Sequence, residues 1–180
     1  MNILKEMTLE EGISMNLDTT FDKVKDEFGS TGKLAPTLST QNVKFHLDTL
    51  TKGYFDKFED NGSPFAYCGA KLHEIWWDQF NDDHGDSEEV VELLGYDSVD
   101  DLVEAVQGVA DTIQGNGWVV VTKEAVTPIP NHSYAAFEDI VMLIDLWEHA
   151  YQVDYKADKK TYIKKLITES ISWKKVKNRM

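Results

Sequence analysis

The sequence predicts an α+β protein, with an N-terminal antiparallel helical hairpin followed by a C-terminal α/β layer that holds a small antiparallel sheet of about three strands. Three observations favour this class. Apolar residues recur at spacings of three and four in the first half of the chain, β-branched and aromatic residues cluster from Trp118 onward, and helical periodicity returns near the C-terminus. The sequence has no internal repeat and no low-complexity tract.

We expect three parts along the chain: an N-terminal extension over residues 1–32, the helical hairpin domain over 33–84 and the C-terminal α+β domain over 85–180. Within the extension, residues 19–28 have the pattern of a short amphipathic helix ended by Gly29. The pattern is typical of a docking arm or a frayed terminus, and no chemistry is assigned to it.

The predicted hairpin begins at Ser39, a suitable N-cap for a helix that carries His46. Residues 61–64 read Asn-Gly-Ser-Pro and predict a turn. A second helix over about 66–80 then carries His73 antiparallel to the first. The expected buried stripe of the first helix consists of Val43, Leu47, Leu50, Tyr54 and Phe58.

The C-terminal part follows an acidic connection at residues 81–87, which we interpret as the boundary between the two layers. Helices stand before and after a group of three strands. In order, they are helices over 88–94 and 98–113, strands over 118–121, 125–129 and 142–147, and a helix over 156–170.

Composition and charge exclude several classes of protein. A formal net charge of −14 repels nucleic acids and anionic membranes, so we expect neither as a partner. The single cysteine, Cys68, excludes an internal disulfide framework and a multi-cysteine zinc site. No stretch has the length and apolarity of a membrane span, and the N-terminus does not resemble a secretory signal, so a cytoplasmic protein is expected.

Four side chains are candidates for a shared metal site. His149 follows Asp145 by four residues where a strand is expected to turn into a helix, and His46 and His73 lie on facing helices of the hairpin. Imidazole and carboxylate groups suit iron, manganese or zinc. Spacing alone leaves two simpler interpretations open, namely a buried Asp–His hydrogen bond and core histidines that bind nothing.

Residues 145–151 read Asp-Leu-Trp-Glu-His-Ala-Tyr, which resembles the Asp-x-Trp-Glu-His-Ala-Tyr signature of iron/manganese superoxide dismutases. The resemblance extends over about residues 33–180 and leaves the N-terminal extension unexplained. Three further segments agree with the family in order: residues 34–46 followed by Tyr54, Leu72-His73 with Trp76-Trp77, and Gly115-Asn116-Gly117-Trp118.

The resemblance implies that His46, His73, Asp145 and His149 bind one iron or manganese ion. It also implies the activity, which is the disproportionation of superoxide to dioxygen and hydrogen peroxide. Iron and manganese accept the same ligands, and the sequence does not decide between them. In iron-type members a glutamine often stands four residues before the second histidine, where this chain has Gly69.

Around the ligands, the resemblance assigns roles to further residues. Tyr54 corresponds to the family's gateway tyrosine. His132 stands near the position of a glutamine that reaches the metal site in manganese-type members. Both residues are therefore candidates for a hydrogen-bond relay. The aromatic wall would comprise Trp118 and Trp147. Glu148 would reach the partner subunit's His149, which implies a homodimer.

The chain also departs from the family's pattern. Leu50 and Gln152 replace a histidine and a tyrosine that normally bond across the dimer interface, Lys159-Lys160 replaces an Arg-Pro, and the stretch between Tyr54 and the second ligand is short. One alternative is therefore a non-catalytic structural or binding relative that keeps the metal. Another is a mononuclear iron enzyme that activates dioxygen, for which the third imidazole is unusual.

Overall fold

The computed structural model describes residues 21–29, 32, 34–80, 85–133 and 137–180. The architecture is α+β, as predicted: a helical hairpin precedes a three-stranded antiparallel sheet flanked by helices. The first helix, α1, spans Phe21–Phe28 within the predicted range of residues 19–28. Most of the N-terminal extension and His84 lie outside the described residues. The division into three parts stays a prediction, and one continuous core includes residues from α1 to the last helix.

The hairpin consists of one interrupted helix and one regular helix. The first arm is α2 (Thr40–Phe45), a π-helical turn (His46–Thr51) and α3 (Lys52–Asn61), and the second arm is α4 (Pro64–Asp78). Side-chain caps fix both starts: Ser39 Oγ accepts from the Asn42 backbone N–H, and Ser63 Oγ accepts from that of Ala66. Gly62, with φ +63°, ends α3 in the left-handed conformation that glycine adopts without strain.

The π-helical turn changes which side chains of the first arm are buried. The predicted stripe placed Leu50, Tyr54 and Phe58 inside, but all three are only half-buried. Thr51 and Phe55 are buried instead, four and eight residues after the fully buried Leu47. One extra residue in the turn shifts the phase of the helix, and a prediction based on α-helical periodicity cannot anticipate that shift.

The sheet has the strand order β2–β1–β3, with both pairings antiparallel. The strands are β1 (Gly117–Val121), β2 (Val126–Pro130) and β3 (Met142–Asp145). All residues of β1 and β3 are buried, which explains their continuous apolar character. The register pairs Trp118 with Asp145, so the start of β1 lies beside the end of β3.

Helices enclose this sheet and complete the C-terminal part. The last predicted helix begins later than expected because Lys156 has a positive φ of 55°, and Asp158 then caps the new helix by accepting from the Thr161 N–H. The C-terminal helix α9 was not predicted. The helices are α5 (Ser87–Leu93), α6 (Val99–Ala110), α7 (Glu148–Tyr155), α8 (Lys159–Lys165) with a π-helical turn at Leu166–Ser170, and α9 (Trp173–Arg179).

A buried glutamine joins the hairpin to the sheet. Gln79, at the end of α4, donates from Nε2 to the Leu143 carbonyl (2.7 Å) and accepts at Oε1 from the Leu143 N–H (2.9 Å). It therefore satisfies backbone groups of β3 as a neighbouring strand would. Within the part of the chain that the structure describes, no helix has the length and apolarity to cross a membrane.

Candidate metal centre

Four side chains converge from four different elements, as the sequence analysis expected. His46 opens the π-helical turn, His73 lies in α4, Asp145 ends β3 and His149 lies in the first turn of α7. One potential ligand atom from each lies within 4.8 Å of all the others. Asp145 Oδ2 is 3.4 Å from His46 Nε2, 3.8 Å from His73 Nε2 and 3.2 Å from His149 Nε2.

Hydrogen bonds orient the groups around this point. Asp145 Oδ1 accepts from the Trp147 backbone N–H at 2.9 Å, which leaves Oδ2 directed at the imidazoles. His73 Nδ1 lies 2.7 Å from the Gly69 carbonyl oxygen. Because a carbonyl can only accept, Nδ1 carries the proton and Nε2 presents its lone pair to the centre.

Some buried nitrogen atoms of the cluster have no hydrogen-bond partner among the described residues. Among the described residues, neither His46 Nε2 nor His73 Nε2 has a hydrogen-bond partner, and both rings are fully buried. Leaving such a polar atom unsatisfied in a protein interior costs about 1–3 kcal/mol. A cation that accepts lone pairs from three imidazoles and one carboxylate would satisfy them, so the residues present fit a mononuclear metal ion.

Electrostatics keep the cluster in the protonation state that a metal requires. Burial lowers the pKa of His46 to about 4 and lowers that of His73 well below its usual value. Burial alone would raise the pKa of Asp145, but attraction to His149 and His46 and the hydrogen bond with His149 outweigh it, and this pKa is lowered. At neutral pH the two buried imidazoles are therefore neutral and the carboxyl group is ionised.

His132 lies beside the cluster at the end of β2. The Trp118 indole N–H donates to His132 Nδ1 at 3.1 Å, and an indole nitrogen can only donate, so His132 carries its proton on Nε2. The ring stacks on Trp147, with centroids 4.4 Å apart and an interplanar angle of 12°. Burial lowers the pKa of His132 to about 4. Its Nε2–H is thus a buried donor without a partner in the described residues.

Tyr54 borders the same space and is half-buried. Its ring stacks on that of His73 at 5.2 Å and meets that of His132 edge-on at 4.5 Å. A Cβ atom added at Gly69 would lie 2.7 Å from Tyr54 Cδ1, so the absence of a side chain there makes room for the tyrosine ring. Burial raises the pKa of Tyr54 to about 12, and its hydroxyl therefore keeps its proton at neutral pH.

The structure also identifies residues behind the cluster that sequence reasoning gave no role. Thr51 Oγ1 donates to the His46 carbonyl (3.0 Å) and accepts from Trp77 Nε1–H (3.0 Å). The spacing of five residues between His46 and Thr51 was the available signal, but it matters only in a π-helical turn. Glu148, assigned to a partner subunit's histidine, is exposed at the start of α7.

Comparison with known proteins relates this chain to one family. The family model for iron/manganese superoxide dismutases, C-terminal domain, matches residues 87–179. The chloroplastic superoxide dismutase (Fe) 1 of Arabidopsis thaliana is 27% identical over 187 residues, covering 82% of this chain and 86% of that protein. The chloroplastic superoxide dismutase (Fe) 2 of Oryza sativa subsp. japonica is 30% identical over 190 residues, covering 82% and 72%.

A more distant relative extends the range of the comparison. The superoxide dismutase (Fe) of Plasmodium falciparum is 24% identical over 168 residues, which cover 73% of this chain and 82% of that protein. The family model covers more than half of the chain, and the aligned regions of the relatives take in most of its length. The chain belongs to the iron/manganese superoxide dismutase family.

Proposed function

We propose that this chain disproportionates superoxide to dioxygen and hydrogen peroxide at a single iron or manganese ion bound by His46, His73, Asp145 and His149. The observation that carries the proposal is the convergence of these four side chains, with their potential ligand atoms within 4.8 Å of one another and buried nitrogens that have no protein partner. Family membership supports the same reaction. A bound ion would supply the one-electron chemistry, taking an electron from one superoxide and giving one to the next.

His132 and Tyr54 are the proposed hydrogen-bond donors of a relay for protons taken from solvent, because each reduced superoxide leaves as peroxide only after it takes up two protons. The Tyr54 hydroxyl keeps its proton at neutral pH, and the His132 Nε2–H is a donor held in place by Trp118 and Trp147. The edge-on contact between the two rings at 4.5 Å supports a shared hydrogen-bond relay.

The local charge favours an anionic substrate although the whole chain carries −14. Neutral imidazoles and one carboxylate offset only one unit of a divalent or trivalent charge, so the loaded site would remain positive. A small anion would therefore be attracted at short range, while the acidic surface repels larger polyanions.

The homodimer remains part of the proposal. Glu148 is exposed and borders a cleft of about 530 Å³ that Gln152 also lines, so the carboxylate is accessible to a second copy of the chain. Leu50, in place of the family's histidine, cannot bond to Gln152 across an interface. We therefore expect the dimer to depend on Glu148 more than on these two positions.

The test is superoxide-dismutating activity on chain loaded separately with iron and with manganese. We expect activity in at least one form. Tyr54→Phe and His132→Ala should each keep the metal and lower the activity at least about tenfold, because they remove proton donors and leave the ligands in place. Tyr96→Phe, a half-buried tyrosine on the C-terminal side, is the matched control and should leave the activity unchanged.

Two outcomes would redirect the proposal. Stoichiometric metal without activity in either form would favour the non-catalytic relative that keeps the ion. Full activity in both Tyr54→Phe and His132→Ala would exclude these residues as the proton relay and leave the proposed metal ligands untouched.

A further inference from the structure

Helix α1, in the N-terminal extension that the family resemblance leaves unexplained, packs on the back of the hairpin. Its inner face buries Val24 and Phe28, which are 5% and 3% exposed. The Phe28 ring lies 5.3 Å from the Trp77 ring and meets Phe80 edge-on at 6.3 Å. Apolar contacts with large aromatic rings are the main source of such docking energy, so α1 is fixed to α4 and is not a loose terminus.

The partner of Phe28 is the residue that anchors the ligand turn. Trp77 donates its indole N–H to Thr51 Oγ1, and Thr51 donates to the His46 carbonyl. The Trp77 ring also contacts the His46 ring, with centroids 5.2 Å apart. A contact path therefore runs from α1 to the first ligand through two side chains, each with defined hydrogen-bond geometry.

Helix α1 also contacts the first arm of the hairpin directly. Lys25 Nζ lies 4.0 Å from Asp48 Oδ1 within the π-helical turn, and the Phe21 ring lies 6.3 Å from the Phe55 ring in α3. The exposed ion pair contributes little by itself. Together with the packing of Phe28, however, these contacts place α1 across both arms at the level of the turn.

The π-helical turn matters because it sets the phase between His46 and Tyr54. In an uninterrupted α-helix, eight residues advance about 800°, which would leave the two side chains about 80° apart around the axis. With one residue inserted in the π-helical turn, the eight residues advance only about 700°, as seven do in an α-helix. The separation of the two side chains around the axis then falls to about 20°. Both rings accordingly lie against His73, with centroids at 5.1 and 5.2 Å.

We propose that α1 is a positioning element of the metal centre, acting through Trp77 and Thr51 to hold the π-helical turn that directs His46 and Tyr54 to the same side. Loss of α1 packing lets the turn relax toward α-helical register and moves His46 out of line with the other ligands. The inference rests on the proposed metal site and adds a requirement for the N-terminal extension.

The test uses Co²⁺ as a spectroscopic probe of the full-length chain. Phe28→Ala should weaken Co²⁺ binding at least about tenfold and shift its visible absorption bands, at a temperature where circular dichroism shows the variant folded. Leu102→Ala is the matched control, since it truncates a fully buried side chain in α6, which packs against β1, β2, α5 and α8. It should lower the melting temperature and leave Co²⁺ affinity and spectrum as in the wild type.

A second pair of variants tests the route. Thr51→Val removes the hydroxyl with little change of shape and should shift the Co²⁺ bands, whereas Thr51→Ser keeps the hydroxyl and should not. If Phe28→Ala does not fold, Phe28→Leu is scored in the same way. In a double variant with Thr51→Val, the Phe28 change should alter Co²⁺ binding less than it does in the single variant, because both changes act on the same contact path.

The outcomes separate the inference from the proposed function. Wild-type chain that binds no Co²⁺ through His46 and His73 overturns both. A wild-type site that binds Co²⁺, with unchanged affinity and bands in the Phe28 variant, overturns the role of α1 and leaves the metal centre standing.

Discussion

At the scale of single residues, the missing side chain of Gly69 leaves the space beside the proposed ligands that the Tyr54 ring fills. The Tyr54 ring occupies the place that a side chain at Gly69 would need, with a Cβ atom 2.7 to 3.1 Å from three of its ring carbons. The same glycine's carbonyl fixes the tautomer of His73. One backbone position thus makes room for the Tyr54 ring and orients a proposed ligand.

Gly69→Ala should therefore displace Tyr54 and lower the dismutating activity, with a loss of about 1–3 kcal/mol in the free energy of unfolding through overpacking. Gly108→Ala is the control, because nothing lies within 4 Å of a Cβ atom there and α6 should gain about 0.5–1 kcal/mol. Thermal unfolding and activity are measured on both. Equal behaviour of the two variants would contradict the close packing at Gly69.

Spacing in the sequence made the four side chains that converge candidates for one site, and the family resemblance selected them over a buried Asp–His hydrogen bond or unliganded core histidines. Family resemblance then assigned the finer roles. The proton on His132 Nε2 could not be predicted, since it follows from a hydrogen bond to Trp118 that only the folded sheet creates.

At the scale of elements, the relative position of the proposed ligands depends on the attachment of α4 to β3. Gln79 makes this attachment through two hydrogen bonds to Leu143, two residues before Asp145. Its backbone carbonyl also accepts from the Ser172 N–H, which brings the segment before α9 to the same point. Gln79 thereby holds the helix that carries His73 and the strand that carries Asp145 in a fixed relative position.

Gln79→Ala should lower the free energy of unfolding by about 2–4 kcal/mol, because it removes two hydrogen bonds and leaves buried backbone groups of Leu143 without partners. Chemical denaturation measures the change. Gln107→Ala is the control, since the Gln107 side chain donates to the Lys160 carbonyl at an exposed site and should cost little. A decrease of less than about 0.5 kcal/mol in the free energy of unfolding for Gln79→Ala would contradict this role of Gln79.

Helix and strand types were predictable along most of the described chain because apolar spacing and turn residues mark them locally. The π-helical turn was not, and it moved burial from Leu50 and Phe58 to Thr51 and Phe55. The C-terminal helix α9 was missed as well. Its Arg179 pairs with Asp78 and donates to the Ile75 carbonyl, contacts with α4 that are remote in sequence.

At the scale of the whole molecule, the buried imidazoles link stability to pH. Folding lowers the pKa of both His46 and His132 from 6.5 to about 4, whereas the unfolded chain keeps ordinary values. Between these limits the unfolded state binds more protons, so the metal-free chain loses stability as pH falls from about 6.5 to about 4. The lowered pKa of Asp145 adds little in most of this window, because its contribution begins to fall only as the pH approaches the ordinary aspartate pKa of 3.8.

The expected slope is up to about 1.4 kcal/mol per pH unit for each histidine. Denaturant unfolding of metal-free chain at several pH values between 4 and 8 measures it. His132→Gln should reduce the slope by the contribution of one histidine. Above pH 7, residue 132 should contribute nothing to the pH dependence of stability in either protein. A flat profile between pH 4 and 6.5 would contradict the burial of neutral imidazoles.

The amount of metal bound per chain tests most directly whether the four side chains bind one redox-active ion. Wild-type chain loaded with iron or manganese and freed of excess should hold about one ion, whereas Asp145→Ala and His73→Ala should hold far less while remaining folded. Tyr96→Phe, as control, should match the wild type. Wild-type chain that holds no iron or manganese, or variants that hold as much as the wild type, would contradict the claim.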